Sequence, residues 1–302
     1  MAQLSAAEKR ALLARVLRSR AGEADPSPAD AHPRSNWPIT FGQRAMWLLQ
    51  ELEPHSAVFV IAFAGRFAAP PDVAVFRRAV DALMGRHPVL TCAFPNRGGG
   101  PEAVVGAHPQ ADFALVDARG WTPETLRSRV ENAAYQPFDL ERDPLVRVRL
   151  YEGDDGVTLL LAIHHIITDL RSLQNLLDEL DRLYAAGRAG VESELPPLDR
   201  DYGDYGRSQA VRLAGPEGQR LWSYWRERLG GDLPVLDLVA DKPRPPVRSS
   251  RGATHRFEIA ATVSRRLHDF ARAEGVTTYT VLLAAYLTLL HRYTGQEDLL
   301  VG

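Results

Sequence analysis

An apolar run, Val157-Thr158-Leu159-Leu160-Leu161-Ala162, leads without a break into Ile163-His164-His165-Ile166-Ile167-Thr168-Asp169-Leu170-Arg171-Ser172. The branched residues of that run predict a buried strand. Beyond it Leu173, Leu176, Leu177, Leu180, Leu183 and Tyr184 recur among Asp and Glu at the three- and four-residue spacing of an amphipathic helix. Two adjacent histidines therefore sit where a strand runs out, with an acid at the entry of a helix. Strand ends are where scaffolds present reactive groups.

Neighbouring residues on extended backbone point to opposite sides, so one imidazole can face a cleft while the other is buried or turned into the scaffold. An imidazole titrating near neutrality can take a proton from a nucleophile. Asp169 can fix the loop by an ion pair with an arginine, or orient the reactive ring. Read alone, the pattern also fits two rim histidines with nothing to catalyse. Neighbouring histidines on a strand cannot both ligate one ion, and no second cluster of His, Cys or Asp has ligand spacing, so no metal is expected.

Composition narrows the setting. The 302 residues are enough for one large or two modest domains, and 45% hydrophobic with 25% charged residues is the balance of a globular protein. A net charge of -2 gives no electrostatic case for nucleic acid or an anionic membrane. The single cysteine, Cys92, excludes an internal disulfide framework and fits a reducing cytoplasm. Leu90-Thr91-Cys92-Ala93-Phe94 reads as a strand, which makes Cys92 a buried, inert thiol. No apolar run approaches the length of a membrane span, and the N-terminus lacks the pattern of a signal peptide.

In chain order, residues 1–20 carry a basic amphipathic leader helix over 4–20, with Leu4, Leu12, Leu13, Val16 and Leu17 on one stripe. Residues 21–36, with Pro26, Pro28 and Pro33, read as a linker. The leader is expected either to dock on a partner or neighbouring module, or to fray. Residues 37–188 form the first lobe. Thr40 caps a helix, 57–67 make a strand, and Asp72 starts a helix running to about Arg86. A β meander follows around Gly98-Gly99-Gly100, then a helix near 123–135, a strand from Leu145 to Leu150, and a hairpin turn at Asp154-Asp155-Gly156. The pairing is expected to be antiparallel. Residues 189–250 are a connector containing an aromatic helical segment with Tyr202, Tyr205, Trp222, Tyr224 and Trp225. Residues 251–302 begin a second lobe, with a strand at 254–259, helices near 262–274 and 278–293, and the start of a strand at Asp298.

Several of these stretches together resemble the condensation domain of nonribosomal peptide synthetases. That family's signature is two histidines, three variable residues, an aspartate and a glycine; His164, His165 and Asp169 match it, and Leu170 stands in place of the glycine. Phe41-Gly42-Gln43-Arg44-Ala45-Met46-Trp47 is similar to the family's first motif and Arg86-His87-Pro88-Val89-Leu90 to its second. Pro137-Phe138-Asp139-Leu140 with Asp143-Pro144-Leu145, then Trp222-Ser223-Tyr224-Trp225 with Asp241-Lys242-Pro243-Arg244-Pro245, and finally Tyr293-Thr294-Gly295-Gln296-Glu297-Asp298 match later stretches, so the likeness covers about 37–302.

The resemblance implies an α/β (α+β sandwich) fold like chloramphenicol acetyltransferase, with two lobes and a tunnel between them. The first lobe is expected complete and the second only begun, so the 302-residue piece alone is expected to be inactive. Donor and acceptor carrier proteins would bring substrates on phosphopantetheine arms, with no cofactor held by this chain. An acceptor amine would attack a donor acyl thioester to give an amide. By resemblance, His165 faces the tunnel as base or positioning group and His164 supports it. Asp169 makes a structural ion pair, for which Arg86 is the candidate partner, and Leu170, Arg171 and Ser172 border the tunnel. Leu170 in place of glycine is either a neutral variation or the mark of a tunnel reshaped for a fatty-acyl or polyketide donor; an unchanged donor preference in Leu170→Gly removes the second idea. An ester-forming acyltransferase would use the same histidine, and a catalytically silent recruitment module would keep only the fold.

Overall fold

In the computed structural model the described residues are 36–98, 100–242, 253 and 255–301. The leader helix expected over 4–20 lies outside them, as does all but the last residue of the expected linker. Two compact units separate between Gly218 and Gln219, inside the stretch read as connector.

The first unit is built on a four-stranded sheet. Its strands are β1 (Val60–Arg66), β2 (Asp112–Asp117), β3 (Val146–Gly153) and β4 (Gly156–His164), in the order β1-β4-β3-β2. Pairing of β4 with both β1 and β3 is antiparallel, as the Asp154-Asp155-Gly156 turn requires, but β2 runs parallel to β3. The expected antiparallel pairing holds for both pairs made by β4; the parallel pair β2–β3 departs from it, and β2 itself is an unexpected strand. Helix α3 (Pro123–Ala134) lies between β2 and β3 in sequence, so the chain returns in the same direction through a crossover.

β4 is buried from Leu159 to His164 because both of its own faces are covered. On one face Leu159, Leu161 and Ile163 join the main core with side chains of α1 (Phe41–Leu52), α2 (Val73–Arg86) and α4 (Leu170–Ala189). On the other, Leu160 and Ala162 meet Ala118, Ala134 and Tyr151, with Leu126 and Val130 of α3 packed alongside. The helices are set by local signals. Thr40 and Gln43 form a capping box at α1, Asp72 accepts from the Val75 N–H at α2, and Thr122 does the same for Thr125 at α3.

Two further expectations fail for reasons of backbone chemistry. The stretch around Cys92 is not a strand: Pro88 opens a 3₁₀ turn, Pro88–Thr91, which fixes φ where a strand would extend. Cys92 itself is fully buried, and burial, with a smaller push from the Asp201 charge, raises its thiol to about 12. The meander around Gly98 reduces to isolated bridges, Ala93 with Val104 and Asn96 with Pro101. Pro95 and Pro101 offer no N–H to a ladder, and Gly98 and Gly100 adopt φ of 84° and 113°.

Helix α5 (Tyr202–Ala214) closes the first unit by laying two glycines on the segment before α1. A Cβ at Gly203 would stand 2.7 Å from Trp37 Cε3, and one at Gly206 2.9 Å from the Pro38 carbonyl oxygen. The aromatic segment expected here is thus two helices, α5 and α6 (Pro216–Leu229). In the second unit α7 (Ala261–Ala273) and α8 (Thr278–Thr294) meet at a 105° bend, and the Gln296 side chain holds the Val235 carbonyl and the Asp237 N–H. Neither 255–260 nor 298–301 forms a strand. No single helix among the described residues is long and apolar enough to cross a membrane.

Gly203→Ala is expected to lower stability by about 1 kcal/mol. Overpacking against the buried Trp37 ring costs about 1–3 kcal/mol, set against about 1 kcal/mol of helix propensity gained. Urea denaturation reads the difference, and a raised midpoint would mean that α5 has room to move off Trp37.

Candidate active site

The strand end at the two histidines is pinned from both sides. The His164 N–H donates to the Leu145 carbonyl at 3.1 Å and the His165 N–H to the Phe59 carbonyl at 2.7 Å. A turn follows, closed by Ile167 N–H to the His164 carbonyl at 3.1 Å. Asp169 then caps α4, its Oδ1 accepting from the Ser172 N–H at 2.6 Å.

The two imidazoles are in opposite situations. His164 is 1% exposed and rests near the rings of Phe59 and Phe138, with centroids 6.1 and 6.2 Å away. Its Nδ1 accepts from the Ile166 N–H at 3.1 Å, so the proton sits on Nε2, which has no hydrogen-bond partner. Burial, helped by the charge of His165, pushes the His164 pKa down to about 3 and keeps the ring neutral. His165 is exposed, and its Nδ1 lies 2.7 Å from the Thr168 carbonyl oxygen. A carbonyl can only accept, so Nδ1 carries the proton and Nε2 holds the lone pair of the neutral ring.

Asp169 does not pair with Arg86, and that expectation is corrected. The Arg86 Nε donates to Glu179 Oε2 at 3.2 Å and its Nη2 to the Pro196 carbonyl at 2.5 Å. The reason is register: α2 packs along α4, and Glu179 lies about 15 Å further down that helix than Asp169 at 1.5 Å per residue. His87 Nε2 also meets Glu179 Oε2, at 2.6 Å. Burial works to raise the Glu179 carboxyl, but hydrogen bonds and charge from His87 and Arg86 outweigh it and hold the carboxyl low. Asp169 is held low by the Ser172 backbone N–H first and the Ser172 side chain second.

A cavity of about 490 Å³ opens beside the motif, lined by His165, Asp169 and Ser172 together with His87, Arg200 and Tyr202. Of the three residues expected along a tunnel, Ser172 lines this cavity, whereas Leu170 and Arg171 do not. Leu170 is the first residue of α4 and 72% exposed. No non-glycine residue among the described ones has positive φ, so Leu170 needs none of glycine's conformational freedom here. Among the described residues no group of three or more His, Cys, Asp or Glu is arranged to hold a metal.

Sequence reasoning missed two supports of the site. Gln43 is fully buried; its Nε2 donates to the Ile166 carbonyl at 3.0 Å, while its Oε1 accepts from the Thr40 N–H at 3.1 Å. The Thr40 hydroxyl in turn shares a hydrogen bond of 3.2 Å with the phenol of Tyr202. The Thr40 to Gln43 spacing signals a cap, but nothing local signals the bond to Ile166.

A mixed sheet sandwiched by helices, with a histidine lone pair at the end of its central strand, defines a chloramphenicol acetyltransferase-like fold. The chain belongs to the condensation domain family, whose model matches residues 34–302. It is 40% identical over 283 residues to the phosphinothricin tripeptide synthetase PhsB of Streptomyces viridochromogenes, covering 92% of this chain and 24% of that protein. It is 35% identical over 297 residues to the chondramide synthase cmdD of Chondromyces crocatus, covering 95% of this chain and 8% of that one. The chain thus spans a quarter or less of the length of these two relatives. Among solved structures it is similar to the X-domain in its complex with OxyB from teicoplanin biosynthesis, with TM-score 0.73, 26% identity, and coverage of 90% of this chain and 60% of that one. The first condensation domain of the CDA synthetase shares the fold at TM-score 0.68 and 21% identity, over 88% of this chain and 64% of that one.

The buried His164 predicts a pH dependence of stability. Its folded pKa lies below the ordinary value, so between about pH 6.5 and 3 the unfolded chain holds the extra proton. Stability is intact above that window and falls as pH drops through it, by up to about 1.4 kcal/mol per pH unit. Denaturation midpoints of His164→Asn, whose amide oxygen can still accept from Ile166, are expected to fall less steeply from pH 6 to 4. Parallel profiles would assign the acid sensitivity to another group.

Proposed function

We propose that this chain brings a carrier-bound amine onto a carrier-bound acyl thioester and forms an amide, with His165 Nε2 at the reacting nitrogen. The observation that carries this reading is the committed Nδ1 proton. In the neutral ring it leaves the lone pair on Nε2, on a residue that lines the cavity. In the reaction a C–N bond forms as the C–S bond breaks. The proton lost from nitrogen goes to Nε2 and then to the departing thiolate. A thioester is already activated and a free amine already nucleophilic, so much of the acceleration comes from holding the two in register. His165 then combines that positioning with partial proton transfer.

The partners in this reading are donor and acceptor carrier proteins, which supply the phosphopantetheine arms; the related synthetases support it. It also puts the chain in the cytoplasm beside those carriers. A hydroxyl acceptor would use the same lone pair and give an ester. A second reading, recruitment of a partner protein without chemistry, draws on the similarity to an X-domain found in a complex with OxyB. His165 weighs against it, since recruitment alone has no use for an oriented imidazole.

The test is intact-mass spectrometry of an acceptor-loaded carrier, mixed with a donor-loaded carrier and the synthetase that carries this chain. Product is expected with the unaltered protein, and His165→Ala is expected to slow it by about 100-fold or more. Binding of both carriers with no transfer to any amine or alcohol acceptor would move the chain to the recruitment reading.

A further inference from the structure

We propose that Gln43 is a positioning residue for His165, and that it ties the histidine's turn to Tyr202, another residue lining the cavity. The inference rests on the amide-forming reading above and concerns a residue to which that reading gives no part.

The turn after β4 has three carbonyls that face its own chemistry. The His164 carbonyl accepts from Ile167, the Thr168 carbonyl from His165 Nδ1, and the Ile166 carbonyl, between them, from Gln43 Nε2 at 3.0 Å. The first two bonds are internal to the turn. The third reaches 123 residues back along the chain and fixes the turn against α1. Gln43 cannot drift, because its Oε1 is held by the Thr40 N–H and its own N–H by the Thr40 hydroxyl at 3.2 Å. With 0% exposure it has no water to exchange for these partners. The same Thr40 hydroxyl meets the phenol of Tyr202, which lines the cavity with His165. Ile166, Gln43, Thr40 and Tyr202 therefore form a continuous hydrogen-bonded strut between two residues that line the cavity. Buried chains of this kind resist displacement of any one member. Its role is to hold the Thr168 carbonyl where it orients the His165 ring.

Single-turnover kinetics in the synthetase carrying this chain test the proposal, with carriers saturating. Gln43→Met keeps the length and volume of the side chain but loses the donor; its rate is expected to fall by about 100-fold, the order that a misplacement near 1 Å costs. Apparent KM for both carriers should change little; the orphaned Ile166 carbonyl and Thr40 N–H lower the melting temperature, so rates are compared well below it. In a His165→Ala background the same substitution should cost nothing further, because Gln43 acts through that ring. Gln43→Glu supplies the readout a packing role would not move. Its protonated carboxyl donates to the Ile166 carbonyl as the amide does, and its ionised form repels that oxygen. Burial raises such a carboxyl's pKa, so the rate relative to the unaltered protein should climb as pH is lowered.

An unaltered rate in Gln43→Met overturns this inference alone. So does an equal loss in the His165→Ala background, or a pH-independent deficit in Gln43→Glu accompanied by a lowered melting temperature. An unaltered rate in His165→Ala itself overturns the amide-forming reading, whatever Gln43 does.

Discussion

At 2.7 Å, the hydrogen bond between His165 Nδ1 and the Thr168 carbonyl has one allowed polarity, because the carbonyl oxygen can only accept. That polarity fixes the tautomer, and the tautomer fixes which nitrogen is available to a substrate. The surrounding fold serves the geometry of this contact. Carbonyls of Leu145 and Phe59 anchor the strand end, and Asp169 starts α4 one residue after Thr168.

His164 shows what the same side chain becomes one residue earlier. Strand alternation carries it inward among Phe59 and Phe138, where an imidazolium would be poorly solvated and the ring stays neutral. Its Nε2–H is left without a partner, a cost of about 1–3 kcal/mol for a buried donor. Its Nδ1 gives something in return: it accepts the Ile166 N–H and helps close the turn beneath His165. Two identical residues therefore differ in tautomer and exposure because the strand ends between them.

Much of this was legible in local pattern. The apolar run predicts β4, the leucine spacing predicts α4, and Thr40 and Asp72 mark the starts of α1 and α2 by capping chemistry that spans three residues. The family likeness identifies His164, His165 and Asp169, and the structure puts them on one strand end, turn and helix cap. What sequence does not show depends on register between distant segments. Likeness alone matches Arg86 to Asp169, but helix packing delivers it to Glu179. β2 escapes a reading by pattern because Asp112-Phe113-Ala114-Leu115-Val116-Asp117 is a weak strand by itself and is stabilised by a parallel partner across a crossover. The bond from Gln43 to Ile166 spans 123 residues and the one from Thr40 to Tyr202 spans 162, distances over which no pattern in the chain can speak.

The order of strands has a consequence for synthesis on the ribosome. β1 lies at a sheet edge with β4 as its ladder neighbour, and Val60 pairs with His164. At about 5–20 residues per second, β1 would emerge many seconds before its partner exists. During that interval Val60 to Arg66 is a nascent strand with unsatisfied backbone donors and acceptors, the kind of segment that invites wrong pairing. Closure of the ladder and assembly of the histidine turn are then a single late event. A nascent chain stalled before His164 would carry neither a finished sheet nor a trace of the reactive centre.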